Sequence, residues 1–194
     1  MVPTQMCDTM LPDAPLSPPA AELIAQLRPR IRQHLSEINK IPVAVLLWGP
    51  GIDSNSPLGP VRADLRTKLR NLGHAAFYSE ELCDVELPLS TRLQELAQAQ
   101  EFELVVSIPC TPGSIAEIHD FAADRRIHAK ILAFLNERHL SGYGAQSLAV
   151  LQTVISCRIE YYPNENQTGV IADLTLIEVQ RIRELKYLLA GRYV

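Results

Sequence analysis

The chain has 194 residues, 47% of them hydrophobic and 21% charged, which predicts one domain with a well-packed core. Its formal net charge of -4 at pH 7 argues against general binding to nucleic acid or to an anionic membrane, because both need a basic surface. The four cysteines show no paired spacing and suggest neither a disulfide framework nor a metal site. Since no apolar stretch has membrane length and no secretion signal is visible, we expect a cytoplasmic protein.

The first 40 residues divide into a proline-rich arm and an amphipathic helix. Residues 1–20 contain five prolines, which interrupt both helices and central strands. Residues 21–40 carry apolar side chains at helical spacing, and Pro29 is expected to kink or split that helix. We therefore predict an arm over 1–20 and a single α/β domain over 21–194 that begins with this helix.

Short apolar runs alternate with amphipathic segments through the rest of the chain. The apolar runs predict strands at 42–48, 74–78, 104–108, 128–134 and 158–162. Helical spacing predicts helices at 61–72, 88–100, 112–125, 142–156 and 170–190. Strands joined by helices are buried best between two helical layers, so we predict a three-layer α/β sandwich. Its mostly parallel, five-stranded sheet should have the flavodoxin-like order 2-1-3-4-5.

A turn-rich loop follows the first predicted strand and contains Gly49, Gly51, Asp53 and Ser54. Loops after the carboxyl ends of parallel strands line the usual ligand crevice of such sheets. The glycine spacing matches neither a dinucleotide fingerprint nor a P-loop. The loop is therefore either part of a binding site or a connection in which glycine only serves the turn.

The third predicted strand ends in a turn that opens a helix. Thr111 suits the N-cap, so Gly113 and Ser114 should lie in the first turn, where backbone amides lack helical partners and attract anions. Glu117 follows on the same helical face, one turn later. An ordinary strand-to-helix connection explains the same residues. Arg62 and Arg66 either reach a phosphate or, as we expect, face solvent, and Glu80 and Glu81 are expected to be exposed or to lie at a helix N-terminus.

The segment 109–117, with the sequence PCTPGSIAE, resembles the central motif of nucleoside 2-deoxyribosyltransferase-like proteins. It is also similar to the motifs of cytokinin-activating phosphoribohydrolases and TIR-type NAD glycohydrolases, which break N-glycosidic bonds too. The resemblance implies that Glu117 attacks or stabilises the anomeric carbon. It also implies that Gly49 and Gly51 allow close approach of the substrate, that Asp53 or Ser54 binds ribose hydroxyls, and that the protein is a homo-oligomer.

The function predicted is therefore cleavage or transfer at the N-glycosidic bond of a nucleoside, a nucleotide or NAD. In a 2-1-3-4-5 sheet the loop at Gly49 and the turn from Thr111 to Glu117 should flank one cleft. No motif calls for a cofactor or a metal. The alternative is a non-catalytic domain of the same fold that senses a nucleotide and acts through a protein partner.

Overall fold

The computed structural model describes residues 15–51, 54–141 and 156–190. Apart from Ser156, the helix predicted at 142–156 lies outside the described residues, as does most of the predicted arm. The chain forms two units, residues 1–39 and residues 40–194.

The first unit contains the helix α1, Pro18–Ile38. The helix begins three residues before the predicted start, because Pro18 and Pro19 fit the first helical turn, where no backbone donor is needed. Pro29 lies inside α1 without dividing it into two helices. None of its residues is buried. The exposed apolar side chains of α1 are those of Leu23, Ile24, Leu27, Ile31 and Leu35.

The second unit is built on one parallel five-stranded sheet. Its strands are β1 (Ala44–Trp48), β2 (Ala75–Tyr78), β3 (Leu104–Ser107), β4 (Ile131–Asn136) and β5 (Arg158–Tyr162). Their order is β2-β1-β3-β4-β5, and every neighbouring pair is parallel. This confirms the predicted three-layer flavodoxin-like sandwich. The fourth strand starts three residues later than predicted, because residues 128–130 form a single 3-10 turn.

Helices cover both faces of this sheet. They are α2 (Leu58–Asn71), α3 (Thr91–Glu101), α4 (Pro112–Ala122) and α5 (Gly169–Ala190). Leucines of α2 and apolar residues of α5 share one core cluster with Val45 and Leu47 of β1. Residues of α3 and α4 share the other cluster with Leu46 and Trp48, because successive strand residues point to opposite faces. Among the described residues, no helix is long and apolar enough to cross a membrane.

The amino-terminal edge of the sheet contains a buried histidine, His74. It is 5% exposed, and its Nδ1 accepts a hydrogen bond of 3.2 Å from the Val43 amide. Burial, followed by the positive charges of Arg183 and Lys186, lowers the pKa of His74 from 6.5 to about 4. The folded protein therefore holds His74 neutral at pH values where the unfolded chain protonates it.

This difference predicts a loss of stability in acid. Above pH 6.5 His74 is neutral in both states, but between pH 6.5 and pH 4 only the unfolded chain binds the proton. The free energy of unfolding should therefore fall by up to about 3 kcal/mol over that range. His74→Asn keeps an acceptor for the Val43 amide but has no group that titrates in this range. Its free energy of unfolding should therefore fall less between pH 7 and pH 4.5 than that of the unaltered protein. Urea unfolding at pH 7 and pH 4.5 measures both; equal losses in the two proteins would contradict the assignment.

Candidate active site

A cleft opens where three neighbouring strands end on the carboxyl side of the sheet. Trp48 pairs in register with Ser107, and Leu47 pairs with Tyr78, so β1, β2 and β3 end at nearly the same level. The segments that follow these strands are thereby brought together. The cleft has a volume of about 120 Å³. Its lining residues are Trp48, Gly49, Ser79, Glu80, Glu95, Ser107, Pro109, Ser114, Glu117, Ile118 and Phe121.

Arg62 of α2 ties two of these segments together. It is 2% exposed. Its Nη2 donates to the Leu47 carbonyl at 2.6 Å, and its Nη1 donates to the Pro50 carbonyl at 2.7 Å. Both nitrogens also donate to the Glu80 carboxylate, at 2.5 and 2.7 Å, in a bidentate pair. The guanidinium lies 4.3 Å from the centre of the Tyr78 ring. The expectation that this arginine faces solvent was wrong, because backbone carbonyls and a carboxylate replace its hydration.

Gly49 directly follows β1 and lies beside Ile108, which directly follows β3. A Cβ atom at this position would lie 3.1 Å from the Ile108 carbonyl oxygen and 3.2 Å from Cδ of Arg62. A larger residue would fit only if Ile108 and Arg62 moved by a few tenths of an ångström. Glycine at this position therefore serves the close packing of the cleft floor.

The second strand delivers Ser79 and Glu80 to the cleft through the 3-10 turn Ser79–Leu82. The neighbouring Glu81 accepts from the Tyr78 amide at 2.9 Å and pairs with Arg66 at 2.7 Å, which fixes the turn. Burial raises the pKa of Glu80, but hydrogen bonds and charge from Arg62 outweigh it and lower that pKa below its ordinary value. Glu80 is therefore held as a carboxylate.

The turn before α4 is closed by its own hydroxyl groups. Thr111 is the N-cap, and its Oγ1 accepts from the Ser114 amide at 3.2 Å. Ser114 Oγ accepts from the amides of Cys110 and Thr111 at 3.2 and 3.0 Å. The backbone amides that were expected to bind an anion are therefore only partly available, because the Ser114 amide already donates to Thr111. From this turn and the helix after it, Ser114 and Glu117 line the cleft.

Two carboxylates that form no ion pair with the described residues complete the cleft. Glu117 of α4 is exposed to solvent as well as lining the cleft, and no described residue forms an ion pair or hydrogen bond with its carboxylate. Glu95 of α3 is half-buried, and its Oε1 lies 3.5 Å from Ser79 Oγ. Burial, and then the charge of Glu117, raise the pKa of Glu95. The Ser79 hydroxyl also lies 3.4 Å from Glu80, so it stands between two carboxylates.

The structure brings Gly49, Ser114 and Glu117 of the predicted site into one cleft. Asp53 lies outside the described residues. The other predicted residues are exposed and are not among those lining the cleft: Gly51, Ser54, Thr111 and Gly113.

Sequence reasoning missed Glu95, Ser79 and the wall formed by Trp48 and Phe121, whose ring centres are 4.6 Å apart. Trp48 ends an apolar strand and Phe121 belongs to an amphipathic helix, so both read as ordinary core residues. Glu95 falls between the apolar positions 93 and 96 of α3, but Leu93 is 48% exposed, so helical spacing did not mark which side of α3 faces the cleft.

Within the described ranges, no group of three or more His, Cys, Asp or Glu side chains is arranged to hold a metal ion. No protein-family model matches the chain, and comparison with curated proteins finds no significant match. The chemistry of the cleft must therefore be argued from its own side chains.

The role of Arg62 can be tested by comparison with Arg66 one helical turn away. Both guanidinium groups lie 4.3 Å from the Tyr78 ring and both pair with a glutamate of the same turn, but only Arg62 is fully buried. We expect Arg62→Met to lower the free energy of unfolding by about 3 kcal/mol, since buried carbonyls lose their donor. Arg66→Met should cost less than about 1 kcal/mol.

Urea unfolding at neutral pH measures both variants, with circular dichroism to verify that each is folded. Equal losses for the two substitutions would show that the buried contacts of Arg62 contribute no more than the partly exposed ion pair of Arg66.

Proposed function

We propose that this protein cleaves or transfers the N-glycosidic bond of a nucleoside, a nucleotide or NAD, with Glu117 as nucleophile or as stabiliser of the oxocarbenium ion. The observation that carries the proposal is that Glu117 and the segment after β1 line the same cleft at the carboxyl ends of adjacent parallel strands. The likeness of 109–117 to deoxyribosyltransferase-like proteins supports it. We also propose that the protein is a homo-oligomer and that it is located in the cytoplasm.

The chemistry follows from the charge that develops when the bond breaks. The electron pair of the C1′–N bond moves to the base, and positive charge spreads over C1′ and the ring oxygen of the sugar. A carboxylate can stabilise this charge or form a temporary ester with C1′. Water then supplies the new C1′–O bond in hydrolysis, and a second base supplies a C1′–N bond in transfer.

Glu117 suits this role because its carboxylate is not committed elsewhere. Glu80 is engaged by Arg62 in a bidentate pair, whereas no described residue pairs with Glu117. The helix α4 begins at Pro112, so Glu117 projects from its second turn, and its backbone is fixed by the hydroxyl cap of the preceding turn. A nucleophile held on a rigid helix next to a cleft needs little reorganisation before it acts.

A nucleotide sensor that acts through a protein partner is the second candidate, and α1 is the observation that favours it. Its apolar side chains at 23, 24, 27, 31 and 35 are all exposed, and the helix belongs to a separate unit of the chain. An exposed apolar stripe on a helix is typical of a protein-binding surface. A sensor would bind ligand at the cleft and release no product.

Glu117→Gln should reduce the rate of base release by about 10³-fold or more, because an amide neither attacks C1′ nor offsets its charge. The measurement is chromatographic detection of free base after incubation with NAD, nicotinamide mononucleotide and deoxynucleosides.

Asp120→Asn is the matched control, since it removes one carboxylate from the same helix at a position that pairs with Arg92 outside the cleft. It should leave the rate unchanged. Base release by Glu117→Gln at the original rate would overturn the assigned role. Ligand-induced thermal stabilisation without any product from the unaltered protein would favour the sensor.

A further inference from the structure

The helix α1 buries none of its residues, although one side of it is apolar. Five large side chains of that side are between 37% and 58% exposed: Leu23, Ile24, Leu27, Ile31 and Leu35. Monomeric proteins seldom leave a continuous apolar surface in water, because covering it lowers the free energy. This apolar stripe is therefore a candidate surface for binding another chain.

The spacing of the stripe is that of a coiled coil. Three isoleucines recur every seven residues and occupy the a positions of a heptad repeat: Ile24, Ile31 and Ile38. The d positions, each four residues before an a position, are Ala20, Leu27 and His34. Isoleucine at a with leucine at the central d position favours two parallel helices. The repeat therefore indicates that the partner of α1 is a helix of the same pattern.

The proline inside α1 lies away from this stripe. Pro29 occupies the f position of the same repeat, on the side of the helix opposite a and d. Its ring and its missing donor affect the carbonyl of residue 25, at a b position, which is also outside the stripe. In a two-stranded coil these positions face solvent. The proline is therefore compatible with side-by-side pairing through a and d.

The arginines that flank the stripe distinguish the two possible orientations of a pair. Arg28 occupies an e position and Arg30 a g position. In a parallel pair, g faces the e position of the next heptad, so Arg28 lies beside Leu23 of the second copy and Arg30 beside its Leu35. The aliphatic stems of arginines cover such leucines well. In an antiparallel pair each arginine would face its own equivalent, and the like charges would repel.

The area of the stripe fits a weak, reversible association. Because about half of each large side chain is exposed, pairing two helices would remove about 1,000 Å² from water, near the lower limit for a specific interface. His34 also places a polar group at a d position, which reduces the stability of a coiled coil. These two features predict a dissociation constant of about 1 to 100 µM.

We infer that α1 pairs with α1 of a second copy of this chain as a parallel two-stranded coiled coil through Ile24, Leu27 and Ile31. The inference does not depend on the proposed chemistry of the cleft. It gives the proposed homo-oligomer a defined contact surface.

The full-length chain should therefore change from monomer to dimer as its concentration rises from about 1 to 100 µM. Sedimentation equilibrium measures this change. Ile31→Glu should weaken the dimer at least about a hundredfold, because it places two like charges in the apolar contact. Gln26→Glu is the matched control, since it adds the same charge to α1 at a c position outside the stripe. It should leave the dissociation constant unchanged.

His34→Leu tests the position of the repeat by a gain of affinity. Replacing the imidazole at d with leucine extends the apolar contact by one layer, so the dimer should tighten at least about tenfold. Circular dichroism verifies that each variant is folded. Dimers of equal strength in His34→Leu and in the unaltered chain would show that position 34 does not face the second copy, and would overturn the inference.

Disulfide formation tests the orientation. In a parallel pair the two copies of position 24 face each other, whereas in an antiparallel pair position 24 faces position 34, about 15 Å along the helix. Ile24→Cys should therefore form a covalent dimer under mild oxidation. Gln26→Cys is the control, and it should form no more covalent dimer than the unaltered chain, which has four cysteines of its own.

A chain that stays monomeric at 200 µM would overturn the inference and leave the stripe to a different protein. A dimer that Ile31→Glu weakens no more than Gln26→Glu does would also overturn it, while leaving a homo-oligomer built through another surface. Equal cross-linking at positions 24 and 26 would overturn the parallel arrangement. None of these measurements involves catalysis, so their failure is distinct from a failure of the proposed function.

Discussion

The geometry of the cleft depends on one buried guanidinium. Arg62 reaches from α2 to the end of β1, to the loop that follows it and to Glu80 after β2. Burying a charge costs free energy, and here the cost is offset because both terminal nitrogens donate two hydrogen bonds each. The same contacts keep Glu80 ionised, and the Arg62 side chain also lies close to Gly49, where an added Cβ atom would be 3.2 Å from its Cδ.

The charged side chains at the two ends of the sheet differ in how far they are paired. At the amino-terminal end, Arg183 donates to the carbonyls of Ile41 and Leu72, and Lys186 donates to Pro42 and pairs with Glu103. These cations satisfy backbone carbonyls beside β1 and at the end of α2, and so they stabilise the fold. At the carboxyl end, Glu95 and Glu117 line the cleft and form no ion pair with any described residue. Titratable groups left unpaired in a cleft are candidates for function rather than for folding.

Most of the fold was predictable because its signals are local. Continuous apolar runs marked the buried strands, Thr111 and Pro112 marked the start of α4, and the rule for parallel sheets placed Gly49 and Glu117 at one edge. Boundaries shifted by a few residues where prolines or 3-10 turns altered the ends. The prediction that Arg62 faces solvent was wrong. Helical spacing shows which side of the helix a residue lies on, but it does not show that backbone carbonyls of another segment lie opposite that side.

The amino-acid pattern established the alternation of strands and helices, the parallel flavodoxin-like order and the position of one glutamate beside the cleft, since each depends on periodicity and turn chemistry within short segments. Tertiary packing decided the rest. Glu95, Ser79 and Glu117 come from segments far apart in the chain, and their meeting depends on strand register and on how α3 and α4 rotate against the sheet. The charge of the cleft is a sum over these side chains, so it exists only once they are folded together.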